Sequence, residues 1–317
     1  MAKQVYLGGK ALILPNARGG SDIKRAYVGG ERLLGQQFPL PASSSGANVT
    51  SVGGYDVVEF TSDGTFTPSS TLDYEIFMVG YGGDGQNAAA TPTSYGGAGG
   101  GGGEVITGFV TLNAGTTYSV VFDDSSIPSE IRFAGITAHQ GGDGGEGNSV
   151  TTAYNGEDGE TSGAGTGGSG GGGAISTGGS RGTEGESFAQ NGAYNGLYRY
   201  GNDGGVPHPS SGNGAGGGGG AGSIGGEALS DGTGGDGGFG FTNNWLGSTL
   251  SYGGGGGGYP SGQGYGGGGN AASTSTGNAS IPRANSGGGG GGTNDPTTPA
   301  NGAGAAGIVL IRYRRGA

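Results

Sequence analysis

The sequence predicts an all-β chain: an antiparallel β-sandwich carrying a large layered bundle of polyglycine-II helices, with small β-hairpins at the N-terminus and essentially no α-helix. Three observations carry this expectation. Short runs rich in β-branched and aromatic residues, bounded by turn residues, fill the stretch from Tyr55 to His139. Glycine makes up 89 of the 317 residues and is gathered into blocks between Gly141 and Ala305. A last apolar run, IVLIRY from Ile308 to Tyr313, follows the final block.

The first forty residues hold an internal repeat, VYLGGKALI from Val5 and AYVGGERLL from Ala26. Each half is an apolar run, a Gly-Gly pair and a second apolar run. Gly-Gly permits the positive φ angles of a tight hairpin turn. Two hairpins bury little by themselves, so residues 1–40 are expected to dock or assemble, with Tyr6, Leu7, Tyr27 and Val28 as the docking residues. The alternative makes them the first strands of the following domain. Residues 41–54, including the end of FPLPASSSGAN, are expected to be a linker.

From 55 to 140 the runs DVVEF, GTFT, YEIFMV, EVITGFVTL, TTYSVVF, EIRF and ITAH read as strands, and TSDGT and LNAGTT as turns between antiparallel neighbours. IVLIRY is expected to return to the same sheet. Residues 55–140 and 307–315 then form the sandwich, and the glycine-rich stretch 141–306 is an insertion in it.

Such a glycine content calls up collagen and disorder first. There is no Gly-X-Y period, and prolines number only 12, which excludes collagen. Disorder is disfavoured by 15 Tyr, 10 Phe and 1 Trp and by a charged fraction of only 12%. Blocks such as Gly163 to Gly173, Gly212 to Gly222, Gly253 to Gly258 and Gly287 to Gly292 have similar lengths and are separated by loops. Polyproline-II-like helices have three residues per turn and no internal hydrogen bonds, so each must bond to its neighbours. Only a residue without a Cβ lets neighbours approach on every side.

The same composition excludes several functions. The net charge is −11 and the few basic residues cluster only at Arg312, Arg314 and Arg315, so nucleic acid is not an expected partner. There is no cysteine, and the longest apolar run has only a strand's length, so neither a cysteine metal site nor membrane insertion is expected. The N-terminus lacks the apolar core of a signal peptide. An aromatic, glycine-rich chain made in a cytoplasm without an export tag fits release by lysis inside a virus particle. His139 and His208 stand in no triad or metal spacing, and the many GxGxxG matches lack a strand before and a helix after. No catalysis, cofactor or metal is therefore expected. Asp143, Glu146, Asp158 and Asp236 read as solvated faces of the bundle, with an ion at a loop as a minor alternative.

The loops between blocks are the candidate binding surfaces. NGAYNGLYRYGND holds Tyr194, Tyr198 and Tyr200; FGFTNNWLG holds Phe239, Phe241 and Trp245; Tyr259 and Tyr265 bracket a third loop. Aromatics set among Asn, Ser and Gly combine rigid anchors with adaptable hydrogen bonding. The competing reading has these rings cover the ends of the bundle or pack it on the sandwich. Segments alternate in direction, so only every second loop lies at the outer end.

DVVEFTSDGTFTP, DYEIFMVGYGGDG, GGAGGGGGEVITGFVTLNAGTTYSVVF, the glycine blocks and the closing GAGAAGIVLIRYRR, in that order, resemble the glycine-rich domain of bacteriophage tail-fibre and tail-tip proteins. The resemblance covers about Val52 to Arg315. It implies a virion protein of the tail that binds a bacterial surface glycan or outer-surface protein through loops of the polyglycine-II domain, without catalysis. Other tail or baseplate proteins are implied as partners, and a homotrimer as one possible assembly. The chain has no fibre-binding helix of the kind that would seat it on a trimeric fibre tip. Two alternatives stand beside this expectation: a purely structural component of tail, baseplate or capsid with the glycine domain as a rigid spacer, and an ice-binding protein.

Overall fold

The computed structural model describes residues 42–87, 96–125, 129–147, 168–174, 196–208, 214–273, 277–294 and 302–315, and the backbone of strand segments at 4–7, 10–13, 27–28, 31–32 and 192–194. Among these residues the chain is all-β with no helix, and every strand pairing is antiparallel.

At the N-terminus β1 (Gln4–Leu7), β2 (Lys10–Ile13), β3 (Tyr27–Val28) and β4 (Glu31–Arg32) form a four-stranded sheet in that order. Leu7 lies opposite Lys10 and Val28 opposite Glu31, so each hairpin has two residues between its paired strands. The side chains of Tyr6, Leu7, Tyr27 and Val28 lie outside the described residues.

The segment expected to be a linker instead supplies two strands, β5 (Ser43–Ser45) and β6 (Asn48–Val52). They join different sheets, and Gly46, at φ 73°, turns the chain from one to the other. Neither strand has the alternating apolar pattern that would mark it, because both are sheet edges with mostly exposed side chains.

The remaining strands of the two sheets are β7 (Tyr55–Phe60), β8 (Gly64–Thr67), β9 (Leu72–Val79), β10 (Val105–Leu112), β11 (Tyr118–Asp123), β12 (Glu130–Phe133), β13 (Ile136–His139), β14 (Gly192–Tyr194) and β15 (Leu197–Tyr200). A two-stranded hairpin, β16 (Phe241–Asn243) and β17 (Leu250–Tyr252), and the closing β18 (Ile308–Arg314) complete the set. One sheet runs β14-β15-β10-β9-β18-β7-β6 and the other β13-β12-β11-β8-β5. The last strand thus enters the middle of the larger sheet, between β9 and β7.

Val58, Phe60, Tyr74, Ile76, Met78, Ile106, Val309 and Ile311 from the larger sheet share one buried core with Phe66, Val120, Ile131 and Phe133 from the smaller. Phe66 meets Tyr74 and Phe133 edge-on, with centroids 5.4 and 6.4 Å apart. The opposite face of the larger sheet is covered by the β16–β17 hairpin. There Trp245, Tyr252, Phe241, Leu246 and Leu250 pack on Val57, Phe77, Val79, Val105 and Leu310.

The glycine segments extend from one end of these sheets and bond to one another. Gly96–Glu104 lies at the centre and is buried throughout. Its successive N–H groups at Gly97, Ala98 and Gly99 donate to Thr293, Gly145 and Gly216, on three different segments. The next three, Gly100, Gly101 and Gly102, return to the same segments at Gly290, Gly142 and Gly219, and Gly103 and Glu104 start a third round at Gly287 and His139. Its carbonyls accept from three further segments: Ala98 and Gly101 from Gln86 and Gly83, Gly99 and Gly102 from Gly172 and Ser169, Gly97 and Gly100 from Tyr259 and Gly256. One segment therefore has six neighbours and a hydrogen-bond repeat of three residues. At most of these positions a side chain is excluded for a plain reason. A Cβ on Gly100 would land on the carbonyl of Gly83, and one on Gly256 on the carbonyl of Gly290.

Candidate functional site

At the rim of this array a segment bonds inward with two of every three residues and shows the third to solvent. In Thr233–Phe239 the glycines at 234, 235, 237 and 238 are buried, Thr233 is half-buried, and Asp236 and Phe239 are exposed. Gly141–Gly147 repeats the pattern with Asp143 and Glu146. Non-glycine residues thus fall where a Cβ has room.

Several of these rim side chains satisfy backbone N–H groups that the array leaves over. Asp143 Oδ1 accepts from the Asp84 N–H at 2.6 Å, Asp84 Oδ1 from Gly304 at 2.7 Å, and Asp236 Oδ1 from Gln263 at 2.7 Å. Asn270 and Ser280 do the same for Gly264 and Asn270. The carboxylates at 84, 143 and 236 are therefore lateral staples between segments as well as solvated charges. Asp158 lies outside the described residues, and His208 is half-buried. Among the described residues no three His, Asp or Glu side chains are grouped to hold a metal ion, and no helix is long and apolar enough to cross a membrane.

Where the array meets the sheets, Glu104 is completely buried between two cationic or polar partners. Its Oε1 accepts from Arg199 Nη1 at 2.8 Å and its Oε2 lies 2.8 Å from His139 Nδ1. Arg199 also donates to the Thr137 carbonyl at 3.2 Å, and the His139 N–H to Glu104 Oε2 at 3.2 Å. The cluster is buried and ties β15 and β13 to the first residue before β10, so it is a structural clamp. Its members are 35 and 95 positions apart, which is why spacing in the sequence gave no sign of it.

The predicted binding aromatics are divided by direction. Among the described residues, segments leaving the sheets reverse at outer tips near 229–233 and 258–262 and then return. Tyr198 and Tyr200 lie in β15, which is hydrogen-bonded to β10, so this loop belongs to the sheet end. Phe241 and Trp245 belong to the hairpin on the sheet. Trp245 is 9% exposed, edge-on to Phe77 at 6.1 Å and beneath the Arg312 guanidinium at 4.2 Å. Arg312 is itself held by Glu75 and by the face of Tyr55. Tyr200 stacks on Phe241 at 4.8 Å. Tyr259 stands at an outer tip, before the cis bond to Pro260, but is buried. These four rings pack the molecule; Tyr198 is exposed beside β10, and the side chain of Tyr194 lies outside the described residues.

The remaining two come together. Phe239 and Tyr265, 59% and 37% exposed, have ring centroids 5.0 Å apart on the flank of the array. The Phe239 N–H donates to Ser223 Oγ at 2.8 Å, which places Ile224, 66% exposed, beside it. Two and three residues back along the same segments lie Gln263 and Asp236, joined by their hydrogen bond. The result is an exposed aromatic pair with an amide and a carboxylate within a few residues, on a rigid support.

A family model for a glycine-rich domain matches residues 61–314. The chain belongs to the glycine-rich domain family. The match takes in both the strands from β8 onward and the whole glycine array, so in this chain the glycine-rich domain includes sheets and array together. No curated protein and no solved structure matches the chain.

Proposed function

We propose that this glycine-rich domain protein is a bacteriophage virion component of the tail fibre or tail tip, and that it attaches the particle to the host surface without catalysis. In this reading the two sheets are a β-sandwich, and each glycine segment is a polyglycine-II helix. The support is the three-residue hydrogen-bond repeat with six neighbours, which matches a helix of three residues per turn and about 3.1 Å rise per residue that bonds only outward. The interior of such an array is backbone with only small side chains among it, such as Ala98, Ala174 and Ala215. Recognition then falls to the side chains that its rim and tips present.

The observation that carries the reading is the Phe239–Tyr265 pair. Exposed aromatic faces with hydrogen-bonding groups nearby suit the ring faces and hydroxyls of a bacterial surface glycan, or the loops of an outer-surface protein. Ordering such rings on binding costs little conformational entropy because each has only two side-chain torsions. The N-terminal hairpins are assigned to docking on other tail or baseplate proteins.

The test is binding of the labelled chain to a panel of bacterial strains, alongside the double variant Phe239→Ala and Tyr265→Ala. Saturable binding to particular strains that falls at least about tenfold in the folded variant, equivalent to about 1.4 kcal/mol, supports the patch. Undiminished binding by the variant refutes it. A second reading, the rigid structural spacer, is favoured by the burial of Trp245 and Tyr259, and it predicts no binding to any cell while the protein still incorporates into particles.

A further inference from the structure

We propose that β6 is a self-pairing edge, through which two copies of this chain join their seven-stranded sheets into one continuous antiparallel sheet. Asn48, Val49, Thr50 and Ser51 are all exposed, and among the described residues β6 has a partner on one side only, β7. Edge strands in soluble proteins are usually guarded by a charge, a proline, a bulge or a covering loop. Asn-Val-Thr-Ser-Val carries none of the first two, and its pairing with β7 runs without a bulge from Asn48 opposite Glu59 to Val52 opposite Tyr55.

Two details make the partner a second copy. Val49 lies opposite Val58, on the face that forms the core between the sheets, yet it is 56% exposed where Val58 is 1% exposed. An antiparallel pairing of β6 with itself, centred on Thr50, sets Asn48 opposite Val52 and Val49 opposite Ser51 of the second copy. Both Val49 side chains then lie diagonally on one face and cover each other. The operation is a two-fold, so the contact closes on itself and stops at two chains. Charge does not oppose it locally. The chain carries −11 overall; of the two β7 carboxylates opposite β6, Asp56 is neutralised by Arg315 at 3.0 Å and accepts from Ser51 Oγ at 2.7 Å, and Glu59 lies across from the neutral Asn48.

The chain has no cysteine, which allows a direct test. In either kind of antiparallel pair the Cα atoms at the centre are about 4.5–5.5 Å apart, within disulfide range. Thr50→Cys in the full chain, oxidised mildly, is expected to form a covalent dimer at least about tenfold faster than Thr116→Cys, an exposed residue of the β10–β11 turn, because paired strands hold the thiols at about millimolar effective concentration. Adding Val49→Lys to Thr50→Cys should return the rate to that of the control, with unchanged circular dichroism showing that the sheet is intact. Equal rates for Thr50→Cys and Thr116→Cys, or cross-linking that survives Val49→Lys, would overturn the proposal.

Discussion

Replacing Gly100 by alanine tests whether contact geometry, and not flexibility, is the reason for the glycines. The added Cβ would sit on the carbonyl of Gly83, with the backbone of Asp84 close behind. Neither is the end of a movable side chain, so two segments must separate. Separation stretches the bonds that join them, Gly83 N–H to the Gly101 carbonyl at 2.8 Å and Gln86 N–H to the Ala98 carbonyl at 3.0 Å. Two buried hydrogen bonds are worth about 1 kcal/mol each, and overpacking adds about 1–3 kcal/mol. Against this, alanine restricts the unfolded chain and returns about 0.4–1 kcal/mol. The expected loss is about 2–4 kcal/mol. Urea unfolding followed by fluorescence of Trp245, the only tryptophan, reads it, with exposed Ala303→Ser as a control expected to stay within about 0.5 kcal/mol. A Gly100→Ala protein as stable as the control would refute the reasoning, because a linker-like glycine would gain stability from the same change.

Two further perturbations follow from the sheet end. Glu104→Ala leaves the Arg199 guanidinium and His139 buried without their carboxylate, and should cost about 3–5 kcal/mol in the same urea titration; a loss below about 1 kcal/mol would show that Arg199 has found another partner. Burial, followed by the neighbouring Tyr313, pushes the Tyr74 phenol up to about 12, and burial, followed by Asp124, Asp63 and Asp123, does the same for Tyr81. A phenol raised in the folded state keeps its proton there while the unfolded chain loses its own near the ordinary value of 10.0. Stability is thus complete below pH 10 and is lost as pH rises towards 12. Absorbance at the tyrosinate band should show these phenols ionising only with unfolding, and reversible ionisation near the ordinary value in the folded protein would count against their burial.

The strands β7 to β13 and β18 were legible because each buries at least one face and so carries an apolar pattern: Val58 and Phe60, Ile76 and Met78, Val309 and Ile311 all point into one core. β5 and β6 were not. Ser-Ser-Ser and Asn-Val-Thr-Ser-Val bury almost nothing, and only their neighbours β8 and β7 make them strands. The glycine blocks announced an array from composition alone, but not which segment bonds to which. A residue without a side chain holds no information about its partner. That information sits in the residues at every third rim position, such as Asp143, Asp236 and Phe239, and in the sheet end that fixes where each segment starts.

The candidate site shows the same division. Trp245 and Tyr265 stand in similar company, between glycines and beside Asn, Ser or Gln. One lies buried against Arg312 and the other faces solvent beside Phe239. Loop composition does not separate them; position in the array does. The chain between Gly240 and Gly253 turns back at the sheet end, directly over the apolar face formed by Phe77, Val79 and Leu310, and any aromatic there is drawn into that surface. Phe239 comes just before that turn and Tyr265 is on a returning segment at the flank, where the nearest surfaces are glycine backbone. Glycine offers a ring no apolar surface to bury against, so the ring stays exposed. Phe239 and Tyr265 meet each other at 5.0 Å and stay exposed, which separates them from Tyr200, Phe241, Trp245 and Tyr259, the rings that pack the molecule.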